Sequence, residues 1–120
     1  MTTPYENLVY HIMPRDDWDN YWHDRRYEPP SLKEEGFVHC STLPQVLPSA
    51  ERYYAGRKDL VLLCIDPAWV PDPIRFEDLT NSGEAHPHIY GHVTLSAVLA
   101  CYDLPLNADG RFTLPKALAR

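Results

Sequence analysis

The order of hydrophobic and polar positions predicts short strands spread along this 120-residue chain. Residues 8–13 form a first strand, and the continuous apolar run 60–65 is typical of a strand buried on both faces. We therefore expect residues 60–65 to lie at the centre of a sheet. Residues 74–78 alternate as a further strand, and 92–102 predict the last strand or strands.

Helix-start signals are concentrated in the first half of the chain. Pro14, followed by two aspartates, opens a first helix, and residues 31–34 form a capping box for a short second helix. A second capping box at 42–45 begins a third helix, in which Pro48 implies either a kink or a later start. Helices early and strands late favour the α+β class over an alternating, doubly wound sheet.

Length and composition predict a single domain over residues 1–120, because 44% of the residues are hydrophobic and 23% are charged. No repeat, linker or low-complexity segment divides the chain. An Asp-Gly turn at 109–110 predicts that the segment 103–120 folds back as a hook or hairpin and then continues as a polar end that frays.

Charge and cysteine content restrict the partners and the location. The net charge of −6 argues against a nucleic-acid partner, since Lys and Arg must neutralise phosphates there, and we interpret Arg52, Arg57 and Lys58 as solvated surface.

No apolar run approaches about 20 residues and no signal-peptide pattern opens the chain, so we expect neither a membrane span nor secretion by that route. Three cysteines without CxxC spacing predict reduced thiols and a cytoplasmic protein. They are Cys40, Cys64 and Cys101.

Polar rings interrupt three apolar segments at positions where a core residue would be expected. His11 lies in the first strand, His39 lies in the stretch 36–42, and His88 lies in the segment 87–91. Three such exceptions predict that these histidines converge on one pocket.

Strand alternation divides the second of these segments into two faces. We expect Phe37, His39 and Ser41 on the pocket side, and Val38 and Cys40 on the core side. Because neighbours on a strand point apart, Cys40 is interpreted as a buried, inert thiol rather than as a nucleophile paired with His39.

The strand 74–78 offers a candidate carboxylate. Arg75 and Glu77 share one face, which by itself indicates a solvated surface with a weak ion pair. If that face borders the histidines, Glu77 becomes the best-placed carboxylate in the chain. Ser41 and Thr42 are candidate ligand contacts, although both residue types also suit helix caps.

A metal site is the minority hypothesis for the histidine-rich segment. His86, His88 and His92 could face one zinc or iron ion on extended backbone. No Asp, Glu or Cys lies within the segment to complete the ligand set, so we expect no metal.

Several of these segments together resemble the family called domain of unknown function 952. The resemblance covers about residues 8–102, which are the expected core, and leaves 103–120 as a tail. The matching positions are residues 9–12, Trp18, residues 35–42, Gln45, and residues 60–66, 76–77 and 87–91.

That resemblance implies a fold and a ligand. The family is grouped with the ADP-ribosyltransferase-like proteins, which bind NAD, as a substrate, in a cleft between two small, mostly antiparallel sheets. In histidine-type members a first-strand His binds the adenosine-side ribose and the nicotinamide amide, a later Tyr stacks on nicotinamide, and a Glu holds the nicotinamide ribose. His11 matches the first position, and Tyr90 and Glu77 match by residue type.

Three functions stay open on the sequence. The leading hypothesis is a protein that binds or processes NAD or an ADP-ribose-like nucleotide, with Glu77 and His39 as catalytic residues. The second is a non-catalytic nucleotide- or partner-binding module. The third is a metal-dependent hydrolase or isomerase. The expected ligand contacts are His11, Ser41, Thr42, His88 and Tyr90.

Overall fold

Two three-stranded antiparallel sheets and one two-stranded ladder organise the protein in the computed structural model, which describes residues 7–24 and 26–118. The strands are β1 (Val9–Pro14), β2 (Arg26–Tyr27), β3 (Val38–His39), β4 (Leu60–Ile65), β5 (Ile74–Glu77), β6 (His86–Ile89), β7 (Val93–Thr94) and β8 (Val98–Asp103). The helices are α1 (Arg15–Asp24), α2 (Pro30–Glu35) and α3 (Val46–Tyr54), with short 3-10 turns at Leu43–Gln45, Pro67–Trp69 and Leu95–Ala97. The described residues form one mixed α and β unit, in which the helices precede most of the strands.

The first sheet has the strand order β1–β4–β8 and is antiparallel. Its central strand β4 is buried along its whole length, which confirms the prediction from the apolar run. Alternate residues of β4 reach two different apolar clusters, because successive side chains point to opposite faces. Leu62 packs in the cluster that contains residues of α3, whereas Leu63 packs in the cluster that contains Tyr21 and Val38.

The second sheet has the strand order β3–β6–β5. In its register His39 lies opposite His88, and Glu77 lies opposite His86. Residues directly opposite each other share a face of the sheet, so the polar side chains collect on one face. The other face carries Val38 into the core.

A pair of backbone hydrogen bonds joins the two sheets next to this polar face. The N–H of Tyr10 donates to the carbonyl oxygen of Ser41 at 2.8 Å, and the N–H of Ser41 donates back to the carbonyl oxygen of Tyr10 at 2.8 Å. The first strand and the segment after β3 are therefore held side by side.

The helix boundaries follow the sequence signals closely. Gly36 ends α2 with a φ of 86°, and its N–H donates to the carbonyl oxygens of Ser31 and Leu32. Pro48 is the third residue of α3, where helix N–H groups lack an intrahelical partner, so its missing N–H removes no hydrogen bond of the helix. The helix starts at Val46, which agrees with the predicted alternative of a later start. Within the described ranges no helix has the length and apolarity that crossing a membrane requires.

The ladder β2–β7 was not predicted, because two-residue strands are too short to show a period.

The tail folds back as expected: Leu106 and Phe112 form an antiparallel bridge, and the N–H of Phe112 donates to the Glu51 carboxylate at 2.7 Å. The prediction of a fraying end is wrong as far as Leu118, which is 1% exposed in the core. Burial of the Leu118 side chain in the core keeps the adjoining backbone ordered. Residues 119–120 lie outside the described part.

Candidate functional site

A cleft of about 710 Å³ opens beside the polar face of the second sheet. One part of its wall comes from β3, β6 and the connection between β5 and β6. Further parts come from one side of α3, from β1, from Glu35 at the end of α2 and from Glu77 of β5. Its walls therefore belong to both sheets and to the third helix.

The stretch around β3 follows the predicted alternation at four of its five positions, and Cys40 is the exception. Phe37, His39 and Ser41 border the cleft, and Val38 is completely buried in the core. Cys40 is also buried and packs in the apolar cluster, although it borders the cleft as well. Burial raises the pKa of the Cys40 thiol, so the group stays protonated and is a poor nucleophile.

The carboxylate of Glu77 is held by two side chains of the same sheet region. Its Oε1 accepts a hydrogen bond from the hydroxyl of Tyr90 at 2.5 Å and another from Nδ1–H of His88 at 3.0 Å. The guanidinium of Arg75 lies 5.0 Å from the ring centroid of Tyr90. These donors, the Tyr90 hydroxyl first and His88 second, lower the pKa of Glu77, so the side chain is ionised at neutral pH.

The same contact determines the tautomer of His88. A carboxylate can only accept, so Nδ1 carries the proton and Nε2 carries the lone pair when the ring is neutral. His88 is 5% exposed and stacks on the ring of Phe37, with 4.2 Å between the centroids and 27° between the ring planes. Packing and hydrogen bonding together leave this imidazole one orientation.

His39 is oriented by a carboxylate from the end of α2. Its Nε2–H donates to Oε2 of Glu35 at 3.1 Å, which leaves the lone pair on Nδ1 when the ring is neutral. The ring is more exposed than that of His88, with 55% of its side-chain surface open to solvent. His39 is therefore accessible to water and to a ligand in the cleft.

His11 has both ring nitrogens occupied within the protein. Its Nδ1–H donates to the carbonyl oxygen of His39 at 2.6 Å, and its Nε2 accepts from the hydroxyl of Tyr27 at 2.9 Å. Burial is the main cause that lowers its pKa from 6.5 to about 4, and the nearby imidazole of His39 contributes. His11 is therefore a neutral group that fixes the backbone of β3.

The three predicted histidines do lie together. The rings of His39 and His88 meet edge to face with 5.4 Å between their centroids, and His11 contacts the backbone of His39. The ring of Phe37 contacts both His39, at 4.8 Å, and His88. Phe37, His39 and His88 thus form one cluster of aromatic rings. Each of the two imidazoles in it is hydrogen-bonded to a carboxylate, His39 to Glu35 and His88 to Glu77.

The remaining predicted residues have different positions. Ser41 borders the cleft, and its hydroxyl donates to Oγ of Ser49 at 3.4 Å. Thr42 is not among the cleft-lining residues, and its N–H donates to Oε1 of Gln45 as a helix cap. Tyr90 is also not among the cleft-lining residues, but its hydroxyl donates a hydrogen bond to Glu77, which does line the cleft.

His86, His88 and His92 do not form a metal-binding group. Nowhere in residues 7–24 and 26–118 do three His, Cys, Asp or Glu side chains lie in an arrangement that could hold a metal ion. The extended backbone of β6 ends at Ile89, so the spacing that would align His92 with the other two is lost. In addition, the Nδ1–H of His88 is committed to Glu77.

Sequence reasoning missed several residues of the site, four of which orient the histidines or place polar groups on the cleft. Tyr27 and Glu35 orient His11 and His39, while Ser49 and Arg52 border the cleft from α3. The interpretation of Arg52 as solvated surface is incomplete, because the residue is exposed but lies on the cleft. The i, i+3 spacing of Ser49 and Arg52 indicates a shared helix face, but only the tertiary structure shows where that face points.

The fold and the site define a small mixed α and β protein in which two antiparallel sheets meet beside a polar, histidine-rich cleft. Comparison with known proteins agrees with this class. The family described as a protein of unknown function (DUF952) matches residues 12–101. The chain therefore belongs to the DUF952 family.

Solved structures of a relative share the same fold. The crystal structure of the protein CC0527 from Caulobacter crescentus matches with a TM-score of 0.81 and 30% identity, over 92% of this chain and 97% of that chain. Its solution NMR structure matches with a TM-score of 0.73 and 32% identity, over 88% and 90% of the two chains. Among curated proteins no significant match is found.

Proposed function

We propose that the cleft binds NAD or an ADP-ribose-like nucleotide and that the protein cleaves the bond between nicotinamide and ribose. The observation that carries this proposal is the ionised carboxylate of Glu77 on the cleft wall. Its Oε1 is occupied by Tyr90 and His88, which leaves Oε2 for the hydroxyls or the developing positive charge of a ribose.

The architecture supports the choice of ligand. A cleft where two small antiparallel sheets meet is the arrangement that the resemblance to ADP-ribosyltransferase-like proteins implies, and its volume of about 710 Å³ falls within the range of small-molecule sites. Membership of that wider group is part of the proposal.

The chemistry resembles glycoside hydrolysis. The bond between C1′ of the ribose and the nicotinamide nitrogen breaks, and nicotinamide leaves with the electron pair as a neutral ring. The carboxylate of Glu77 stabilises the oxocarbenium-like ribosyl group. Water then attacks C1′ and gives its proton to Nδ1 of His39, whose other nitrogen is held by Glu35. The products are nicotinamide, ADP-ribose and one proton.

A nucleotide-binding protein without turnover is the second candidate, and one observation favours it. Both nitrogens of His11 are engaged by His39 and Tyr27. The ribose contact that the resemblance implies for His11 would require the hydroxyl of Tyr27 to move. A cleft that binds the nucleotide in a different position would not align Glu77 with C1′.

The test follows thermal stability and nicotinamide release in parallel, with NAD and with ADP-ribose. We expect both ligands to raise the melting temperature and NAD to be turned over. Glu77→Gln should retain the fold and reduce nicotinamide release about 10²-fold, in line with the loss of one preorganised charge-stabilising group. Glu34→Gln, an exposed glutamate of α2 outside the cleft lining, is the matched control.

Each outcome selects one candidate. Release that depends on Glu77 supports the hydrolase. Saturable binding without release supports the second candidate. Absence of any stabilisation by either nucleotide contradicts both.

A further inference from the structure

The acidic and the basic residues that line the cleft come from different elements. Four carboxylates line it, and all of them come from the second sheet, the end of α2 or the connection between β5 and β6. They are Glu35, Glu77, Asp78 and Glu84. Arg52 on α3 is the single arginine or lysine among the lining residues that the structure describes. A ligand that fills this cleft therefore meets carboxylates from these three regions and one guanidinium from α3.

The carboxylates are all engaged in local contacts. Glu35 accepts from His39, and Glu77 accepts from Tyr90 and His88. The remaining two also accept hydrogen bonds: Asp78 from the N–H groups of Ser82 and Gly83, and Glu84 from the side-chain amide of Gln45. Among the ion pairs of the described residues, none joins one of these carboxylates to Arg52.

Arg52 itself has no acidic partner in the described part of the chain, where the ion pairs involve other residues. Its guanidinium lies 5.6 Å from the ring centroid of Tyr53, which is 64% exposed and also lines the cleft. Ser49, one turn earlier on α3, places a hydroxyl on the same side. A guanidinium with free donors next to a hydroxyl matches the geometry of a phosphate group.

We infer that Arg52, assisted by the hydroxyl of Ser49, binds the phosphate groups of the ligand and so determines its orientation in the cleft. The inference rests on the proposed function for the nucleotide part of the ligand and adds a requirement: the ligand carries a phosphate or pyrophosphate opposite its ribose-binding end. In this orientation the anionic part lies against α3, and the reacting, positively charged part lies against Glu77.

The test compares pyrophosphate, ADP-ribose and nicotinamide riboside, which has no phosphate, by isothermal titration calorimetry. We expect Arg52→Gln to weaken binding of pyrophosphate and of ADP-ribose about tenfold or more, as loss of charged hydrogen bonds predicts. Affinity for nicotinamide riboside should stay within about twofold, because that ligand does not reach Arg52. Arg52→Lys should retain part of the phosphate affinity, since it keeps the charge but loses the two-pronged geometry.

The control is Lys58→Gln, which removes one positive charge just beyond α3 and outside the cleft lining. It should leave all three affinities unchanged, and equal weakening by Lys58→Gln would mean that only net charge matters, which overturns the inference. Wild-type protein that does not bind pyrophosphate, or Arg52→Gln that binds it as well as wild type does, also overturns it. Melting temperatures of the variants separate lost binding from lost folding.

These titrations, together with the nicotinamide-release assay applied to wild type and Arg52→Gln, separate this inference from the proposed function. If ADP-ribose binds in an Arg52-dependent manner while NAD is not cleaved, the phosphate site stands and the hydrolase is wrong. If NAD is cleaved and Arg52→Gln leaves kcat/KM unchanged, the hydrolase stands and the phosphate site is wrong.

Discussion

The two three-stranded sheets of this protein are both antiparallel, but they differ in the polarity of the side chains that their strands carry. In the first sheet, β4 is entirely apolar and buried, and its two faces join two hydrophobic clusters. In the second sheet, one face packs on the core and the other presents imidazoles and carboxylates to a cleft. The first sheet stabilises the fold by removing apolar surface from water, whereas the second positions reactive groups.

Hydrogen bonding explains how the second sheet tolerates its polar residues. Within the described ranges no buried side-chain nitrogen or oxygen atom lacks a hydrogen-bond partner. His11 and His88, which are nearly buried, each contact a partner that fixes the tautomer. Satisfied polar groups avoid the desolvation cost that an unpaired group would have, so the sheet can hold them in defined orientations.

The largest expected effect on stability belongs to the first sheet. Leu63 is completely buried in β4, and Leu63→Ala should lower the free energy of unfolding by about 2–5 kcal/mol, through lost burial and the cavity that remains. Chemical denaturation measures the change. Leu99→Ala on β8, where the side chain is 55% exposed, is the control and should change stability by about 0.5 kcal/mol or less. Similar losses for both variants would contradict the central role of β4.

The second prediction concerns how the free energy of unfolding depends on pH through His11, which lies in β1 beside the cleft. Folded protein keeps His11 neutral down to a pKa of about 4, while the unfolded chain takes up this proton near 6.5. Unfolding between these values binds a proton, so the contribution of His11 is fully present above pH 6.5 and is lost as the pH falls towards 4. The free energy of unfolding should fall by about 3 kcal/mol over this window.

Denaturation curves of wild type and His11→Gln across this pH range test the assignment. The variant should lack this component of the pH dependence, even if it is less stable at every pH. His23→Gln, at an exposed position of α1, should retain the wild-type slope. Equal slopes for wild type and His11→Gln would show that another group causes the effect.

The smallest effect concerns the charge state of the cleft. Tyr90→Phe removes the principal cause that lowers the pKa of Glu77, so that pKa should rise towards the ordinary glutamate value. NMR titration of the side-chain carboxyl carbon measures it, and stability at neutral pH should change little. Tyr53→Phe, which removes a hydroxyl from the α3 side of the cleft, should leave the titration of Glu77 unchanged. An unshifted pKa in Tyr90→Phe would mean that the hydroxyl does not orient the carboxylate.

The sequence by itself determined the features that depend on local chemistry. The continuous apolar run predicts the buried strand β4. Gly36 predicts the end of α2, because glycine readily adopts the positive φ found there. A Gln three residues after Thr42 predicts the cap before α3. The alternation from Phe37 to Ser41 also predicted that Phe37, His39 and Ser41 line a cleft, because a strand has a period of two residues, but it did not predict that Cys40 borders the cleft as well.

Only the tertiary structure decided how these faces meet. The register that sets His39 opposite His88 joins residues that lie far apart in the chain. The side of α3 that bears Arg52 borders the cleft, whereas Val46 and Ala50 of α3 pack in the apolar cluster that also contains residues of β1 and β4. The occupied nitrogens of His11 depend on Tyr27, whose two-residue strand has no pattern of its own. Such contacts arise from long-range packing, which no local sequence period encodes.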